Sequence, residues 1–290
     1  MLIIIPVTVV VNNFFRKGVI QIKIKIGNTI IGDGTVKICM PVSAQNMDEL
    51  AEELDYVAAS ACDIVEVRYD YWNESKLGVQ YPEALLYKIE RTLIERTIQP
   101  LAESANENNS GKRLLLFTYR TGFEGGLGSN EDDEYNTINT KAIRSGHIDI
   151  IDIEFTKEPG LIGALIEQAH KYNVKVIVSK HFFNQKLSRY EILETLLKMQ
   201  DTNADIIKLA VSVYDDAGAQ DVILAAKEMY EKYAKKPFVT IGMGEHGKVT
   251  RYIEPFYGSS ITYAKGPRAT APGQLDISEL RTCSNASNAV

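Results

Sequence analysis

From Val36 onward the chain carries eight short apolar, β-branched runs: "VKICMPV" (36–42), "DIVEVRY" (63–69), "RLLLFTYR" (113–120), "IDIIDIEF" (148–155), "VKVIVSKH" (174–181), "DIIKLAV" (205–211), "PFVTIG" (237–242) and "SSITYA" (259–264). Segments with apolar residues at i, i+3 and i+4 separate them, among them "MDELAEELDYVAASA", "PEALLYKIERTLIERTI", "EPGLIGALIEQAHKY" and "SRYEILETLLKMQ". Several of these begin near Ser, Asp or Pro, as helices do. Strands that alternate with helices imply parallel βαβ units. Eight such repeats in roughly 250 residues predict a (β/α)8 barrel. The alternative, an open doubly wound sheet, lacks a GxGxxG opening a helix after the first strand. Ahead of the barrel, "QIKIKIGNTIIGDG" reads as a β-hairpin over about 20–34, turning at Gly27-Asn28, placed to close the N-terminal mouth.

The expected organisation is an N-terminal extension (1–19) followed by one catalytic domain (20–290). The opening "MLIIIPVTVV" has no basic region and no small-residue cleavage site, and its apolar run is too short to span a bilayer. A net charge of −6 without any Lys/Arg stripe argues against nucleic acid as a partner. Cys39, Cys62 and Cys283 form neither a disulfide framework nor a zinc-ligand spacing, which fits a reducing, cytoplasmic compartment.

Barrel active sites lie at the C-terminal strand ends, and polar residues concentrate there: Glu66 and Arg68, Arg120, Asp152 and Glu154, and His181. Period-2 alternation puts Ile64, Glu66 and Arg68 on one face, Ile150, Asp152 and Glu154 on another, and Ile206, Lys208 and Ala210 on a third. Lys208 is the residue hardest to explain structurally. A buried ammonium needs a carboxylate partner, for which Glu66 and Asp152 are the candidates. The same burial disfavours the charged form of an amine, and a neutral amine attacks carbonyls. His181 supplies a general acid/base. Lysine, histidine and several arginines together point to imine chemistry on a small anionic carbonyl compound.

At this point the residues resemble a family. The segments "DIVEVRYDYW" (63–72), "LLLFTYRTGFEGG" (114–126), "IDIEF" (151–155), "VIVSKH" (176–181), "ADIIKLAV" (204–211), "TRYIEPFYGSSITYA" (250–264) and "ATAPGQLDISELR" (269–281) are similar, in content and order, to type I 3-dehydroquinate dehydratases. The resemblance covers nearly all of residues 20 to 282. It implies a usually dimeric (β/α)8 barrel with no metal or organic cofactor, acting on 3-dehydroquinate in the shikimate pathway. Carried over by position, Lys208 forms the Schiff base, His181 moves the protons and Glu66 supports His181. Arg251 binds the substrate carboxylate, while Thr270 and Gln274 lie on a closing loop. Glu66, Arg68 and Arg120 hold ring hydroxyls, Ser43 sits on the loop after the first strand, and Glu124 in "FEGG" stands behind the reacting groups.

Two positions depart from the family pattern. Phe182 replaces the Asp or Asn that usually follows the histidine, and Thr270 replaces a Ser. Two other readings remain open on the residues alone. One is another Schiff-base barrel enzyme such as a class I aldolase, with "GMGEHG" (242–247) as a glycine-rich phosphate site. The other is a non-catalytic paralogue that keeps the pocket, toward which Phe182 leans.

Overall fold

The computed structural model describes residues 22–72, 82–98, 113–253 and 257–280. The extension 1–19, the polar stretch 103–112 and Cys283 lie outside the described residues. Chain order is β1 (Ile24–Ile26), β2 (Thr29–Ile31), β3 (Lys37–Val42), α1 (Met47–Ala59), β4 (Ile64–Arg68), α2 (Pro82–Ile98), β5 (Leu114–Thr118), α3 (Asp132–Arg144), β6 (Ile150–Glu154), α4 (Pro159–Lys171), β7 (Lys175–Phe182), α5 (Arg189–Gln200), β8 (Ile206–Ser212), α6 (Asp216–Glu228), β9 (Phe238–Met243) and β10 (Ile261–Tyr263).

Strands β3 to β9 pair in parallel in sequence order, and β10 pairs in parallel with β3. The remaining seam, between β9 and β10, is bridged by Ser260 N–H donating to Phe238 O at 2.8 Å. Ser259 Oγ adds to it, accepting from Thr240 N at 2.9 Å. The architecture is the eight-stranded parallel barrel that the alternation predicts.

Local chemistry sets the helix starts. Asn46 caps α1 by accepting from Glu49 N, Asp215 caps α6 by accepting from Gly218 N, and Ser188 with Glu191 forms a reciprocal capping box on α5. Pro159 opens α4, where its missing N–H has no intrahelical acceptor to lose. The segment "HGKVTRYIEPFYG" (246–258) also carries apolar residues at helical spacing, but its described start is a 3-10 turn, His246–Arg251. Thr250 Oγ1 donates to Gly247 O and accepts from Gly242 N–H, so the turn is tied back to the end of β9 and Gly247 O is taken by a side chain.

The barrel's inner faces form one apolar cluster: Cys39, Ile64, Leu114, Leu116, Ile150, Ile177, Ile206 and Val239, joined by Ile26 and Ile31 of the β1–β2 hairpin. The hairpin thus closes the N-terminal mouth. Gly32 makes this possible: its φ is +86°, and a Cβ there would come 2.1 Å from Ile22 O. The outward strand residues, Val65, Val67, Phe117, Ile151, Ile153, Val176, Val178, Ile207 and Leu209, belong to the separate core under the helices. Among the described residues no helix is long and apolar enough to cross a membrane.

Candidate active site

Above that apolar floor the inward side chains turn polar, and the change follows from strand period. Two residues beyond Ile64 on its face comes Glu66, beyond Ile150 comes Asp152, beyond Ile177 comes Ser179 and beyond Ile206 comes Lys208. All four are buried. Lys208 Nζ lies 3.6 Å from Asp152 Oδ2, 3.8 Å from Glu66 Oε1 and 4.1 Å from the ring centroid of Tyr263. Both carboxylate separations exceed hydrogen-bond length, so the ammonium is balanced electrostatically without being pinned. Glu66 Oε1 is held by Thr118 Oγ1 at 2.9 Å.

Arg120 organises the opposite wall. Its Nη2 donates to Asp152 Oδ1 at 2.8 Å; its Nη1 reaches Glu154 Oε1 at 3.0 Å, Ser179 Oγ at 3.1 Å and Glu124 Oε2 at 3.3 Å. The cluster of carboxylates holds this guanidinium well above its already high range against the opposing effect of burial. For Asp152, Arg120 and Lys208 outweigh burial and keep the carboxyl below the ordinary range. Glu124 differs: burial pushes it up to about 7, against the pull of Arg120. His181 goes the other way. Burial, reinforced by Arg120, Lys208 and Arg68, holds its imidazole well below 6.5. Its Nδ1 sits 2.9 Å from Glu124 Oε2, and Nε2 has no hydrogen-bond partner among the described residues. With Glu124 ionised, Nδ1–H donates to the carboxylate, and the Nε2 lone pair is available.

Arg251 is buried with no carboxylate partner among the described residues. Its Nη2 donates to Pro272 O at 3.1 Å and its Nε has no partner. Burial lowers it to about 10. A guanidinium in that condition is an anion site. Above it runs the segment bearing Thr270, Ala271 and Gln274. These line one cavity together with Glu66, Arg68, Lys208, His181, Arg251 and Tyr263. A lysine, an imidazole with one free nitrogen and an uncompensated guanidinium therefore face one small space.

The family model described as Type I 3-dehydroquinase matches residues 38–289. The chain belongs to that family. It is 33% identical over 262 residues to the 3-dehydroquinate dehydratase of Clostridium novyi, covering 90% of this chain and 96% of that protein. A solved type I 3-dehydroquinate dehydratase from Clostridium difficile, with covalently modified comenic acid, superposes with a TM-score of 0.78 at 28% identity, over 92% of this chain and 98% of the other. The enzyme from Enterococcus faecalis gives 0.71 at 30% identity, over 83% and 93%. This dehydroquinase converts 3-dehydroquinate to 3-dehydroshikimate and water in the shikimate pathway.

Most residues singled out from the dehydroquinase resemblance line the cavity; Ser43 does not. Its side chain is buried after β3, and its backbone N–H donates to Glu53 Oε2 of α1 at 2.7 Å. The hydrogen-bond partner of His181 Nδ1 is Glu124, while Glu66 stands beside Lys208. Arg68 is gripped bidentately by Asp70 at 2.8 and 2.7 Å. Phe182 turns out of the barrel, packing on the outer core with the Lys180 ammonium 4.7 Å from its ring centroid. The aromatic beside the histidine is Phe183, stacked on its ring at 6.3 Å and 15°. Tyr263, not singled out from sequence, shares its strand face with Ile261, and the two-residue period was the signal for it. "GMGEHG" is glycine-rich for packing: a Cβ on Gly242 would come 2.9 Å from Gly247 Cα.

Proposed function

We propose that Lys208 is the Schiff-base residue of this dehydroquinase and His181 its proton carrier. The observation that carries the reading is their shared cavity, with the lysine unpinned and the imidazole held neutral with one nitrogen free. Lys208 Nζ adds to the C3 ketone of 3-dehydroquinate, and the carbinolamine loses water to give the iminium. That cation withdraws electrons from C2, and His181 Nε2 takes the C2 proton. The resulting enamine expels the C1 hydroxyl, which leaves as water with the proton returned by His181. Water then hydrolyses the conjugated iminium, releasing 3-dehydroshikimate and restoring the amine.

Glu124 fixes the imidazole tautomer and steadies its cation. Glu66 and Asp152 offset the charge on Lys208 and its iminium. Arg251 takes the substrate carboxylate through its unused Nε edge. Thr270 and Gln274 cover the bound ring, and Glu66 and Arg68 face its hydroxyls. Arg120 acts mainly as scaffold, since its two terminal nitrogens already serve four side chains. Residues 20–290 work as one catalytic domain, in a cytoplasmic homodimer that needs no cofactor. Light scattering on the purified chain tests the dimer.

The decisive experiment for Lys208 is borohydride reduction with 3-dehydroquinate, followed by intact mass and peptide mapping. The expected adduct has the mass of reduced substrate or product and sits on Lys208; Lys208→Ala abolishes it. An adduct on another residue, or none with turnover intact, would overturn the assignment.

A further inference from the structure

The segment that roofs the cavity leaves the barrel at Ala264 and returns at Leu275. These two residues pair, and Lys265 N–H donates to Leu275 O at 2.7 Å. Inside the roof, Gln274 Oε1 accepts from Thr270 N at 2.7 Å, and its Nε2 donates to Thr270 Oγ1 at 3.2 Å. The tip rests on the β9 side of the mouth: Gly244 N–H donates to Pro272 O at 3.2 Å. Gly273 has φ +77°, and a Cβ there would come 2.3 Å from Gly244 O. One side of the roof is thus anchored by backbone contacts.

On the opposite side, among the described residues, one side chain hydrogen-bonds the roof to α1. Arg268, two residues before Thr270, donates from Nη2 to Glu49 Oε2 at 2.6 Å and to Glu53 Oε1 at 2.9 Å, with Nε 3.3 Å from the latter. Exposed ion pairs usually contribute little, because two long side chains must be ordered in water. Here one partner is ordered beforehand. Glu53 is only 2% exposed, and its other oxygen holds Ser43 N–H at 2.7 Å, so its carboxylate is already aimed. A planar guanidinium spanning two carboxylates exploits that arrangement as an ammonium cannot.

We propose that Arg268 is a positioning residue of the reaction: its fork on Glu53 and Glu49 holds the roof closed, so that Thr270 and Gln274 meet bound substrate. The inference rests on the roof role given to those two residues above. It also gives the loop after β3 a part in the site, through Ser43 N–H and Glu53 rather than through the Ser43 hydroxyl. If substrate binds productively only under a closed roof, the apparent affinity scales with the closed fraction.

The test is Arg268→Ala, with Arg268→Lys as the conservative variant. For Arg268→Ala, KM should rise roughly fivefold while kcat changes less than about twofold. Arg268→Lys should recover part of the loss. The KM ratio of variant to parent should shrink as salt is raised, because the parent fork is then screened. Hydrogen exchange at the amides of Gly244, Thr270 and Ala271 should accelerate in Arg268→Ala. A lowered Tm with unchanged KM, salt dependence and exchange would make Arg268 a structural tether only and overturn the proposal. Gln274→Ala separates the two readings. If its KM matches the parent, the roof role itself fails, whatever Arg268 does.

Discussion

Glu124 Oε2 lies 2.9 Å from His181 Nδ1 and 3.2 Å from the backbone nitrogen of the same residue. One carboxylate oxygen thus fixes both where the imidazole sits and how it is turned. Thr156 Oγ1 holds the other oxygen at 2.7 Å, so the carboxylate itself has little freedom. This sets the first prediction. Glu124→Gln keeps the shape but removes the charge that stabilises the imidazolium formed when C2 loses its proton. Rate should fall by about 10²-fold in kcat, with a small change in KM. Borohydride should still trap the imine on Lys208, because Glu124 plays no part in forming it. Steady-state kinetics with mass analysis of the trapped protein checks both halves.

The same pair sets the pH dependence. His181 is held well below 6.5, so protonation of the pair near neutrality falls on Glu124, which burial pushes up to about 7. Above that pH the carboxylate accepts from Nδ1–H and the Nε2 lone pair is free. Below it, protonated Glu124 donates to Nδ1, and the ring proton shifts to Nε2, where it blocks the base. The acid limb of kcat/KM in the free enzyme should therefore lie near 7 and belong to the pair. In Glu124→Gln, whose amide oxygen accepts but does not titrate, that limb should disappear. What remains is the His181 limb, below 6.5. A limb unmoved by the substitution would show that another group controls it.

These two residues also mark the limit of what sequence alone reveals. Alternation on a strand is a strong signal, because a buried ammonium at Lys208 or a buried carboxylate at Asp152 breaks an otherwise apolar face. Eight repeats with helix-period segments between them leave little choice but a barrel, and Ile26 and Ile31 of the hairpin fit its floor. Glu124 gives no such signal. It sits in a 3-10 turn, Gly122–Glu124, beyond the end of β5, where no period assigns it a direction. Only the resemblance drew attention to it. The resemblance gave Glu66 the histidine-supporting role; in the structure its neighbours are Thr118 and Lys208. Phe182 looked like a loss beside the histidine. One residue of strand register turns it outward and brings Phe183 to the ring.

Arg251 yields a prediction in which stability and binding part company. Arg251 is 2% exposed, its Nε is unsatisfied and no carboxylate among the described residues offsets it, so the guanidinium is a buried, poorly compensated cation. Arg251→Met should leave Tm unchanged or raise it. On the proposed role, the same change removes the group that pairs with the substrate carboxylate, a charge-assisted pair of about 1.5–3 kcal/mol. KM should rise about 10- to 100-fold. Arg251→Lys should recover only part of this, because a point charge cannot reproduce the fork. Calorimetry beside steady-state kinetics decides the matter, and a large fall in Tm with KM intact would reassign Arg251 to the scaffold.

The hairpin floor can be tested apart from the chemistry above it. Ile31 is fully buried among Cys39, Ile64, Leu114 and Ile206, none of which lines the reaction cavity. Ile31→Ala removes three carbons from a close-packed interior that can relax only partly, because strands hydrogen-bonded side by side surround it. The loss should be about 2–4 kcal/mol in urea or thermal unfolding. KM should be unchanged, since the layer bearing Glu66, Asp152 and Lys208 keeps its strand register when the floor loses one side chain. If Ile31→Ala instead costs under about 1 kcal/mol, the hairpin is loosely seated and the barrel is sealed by its own apolar layer. If it raises KM, the floor and the catalytic layer are mechanically coupled, and the position of Lys208 depends on a hairpin that precedes the barrel.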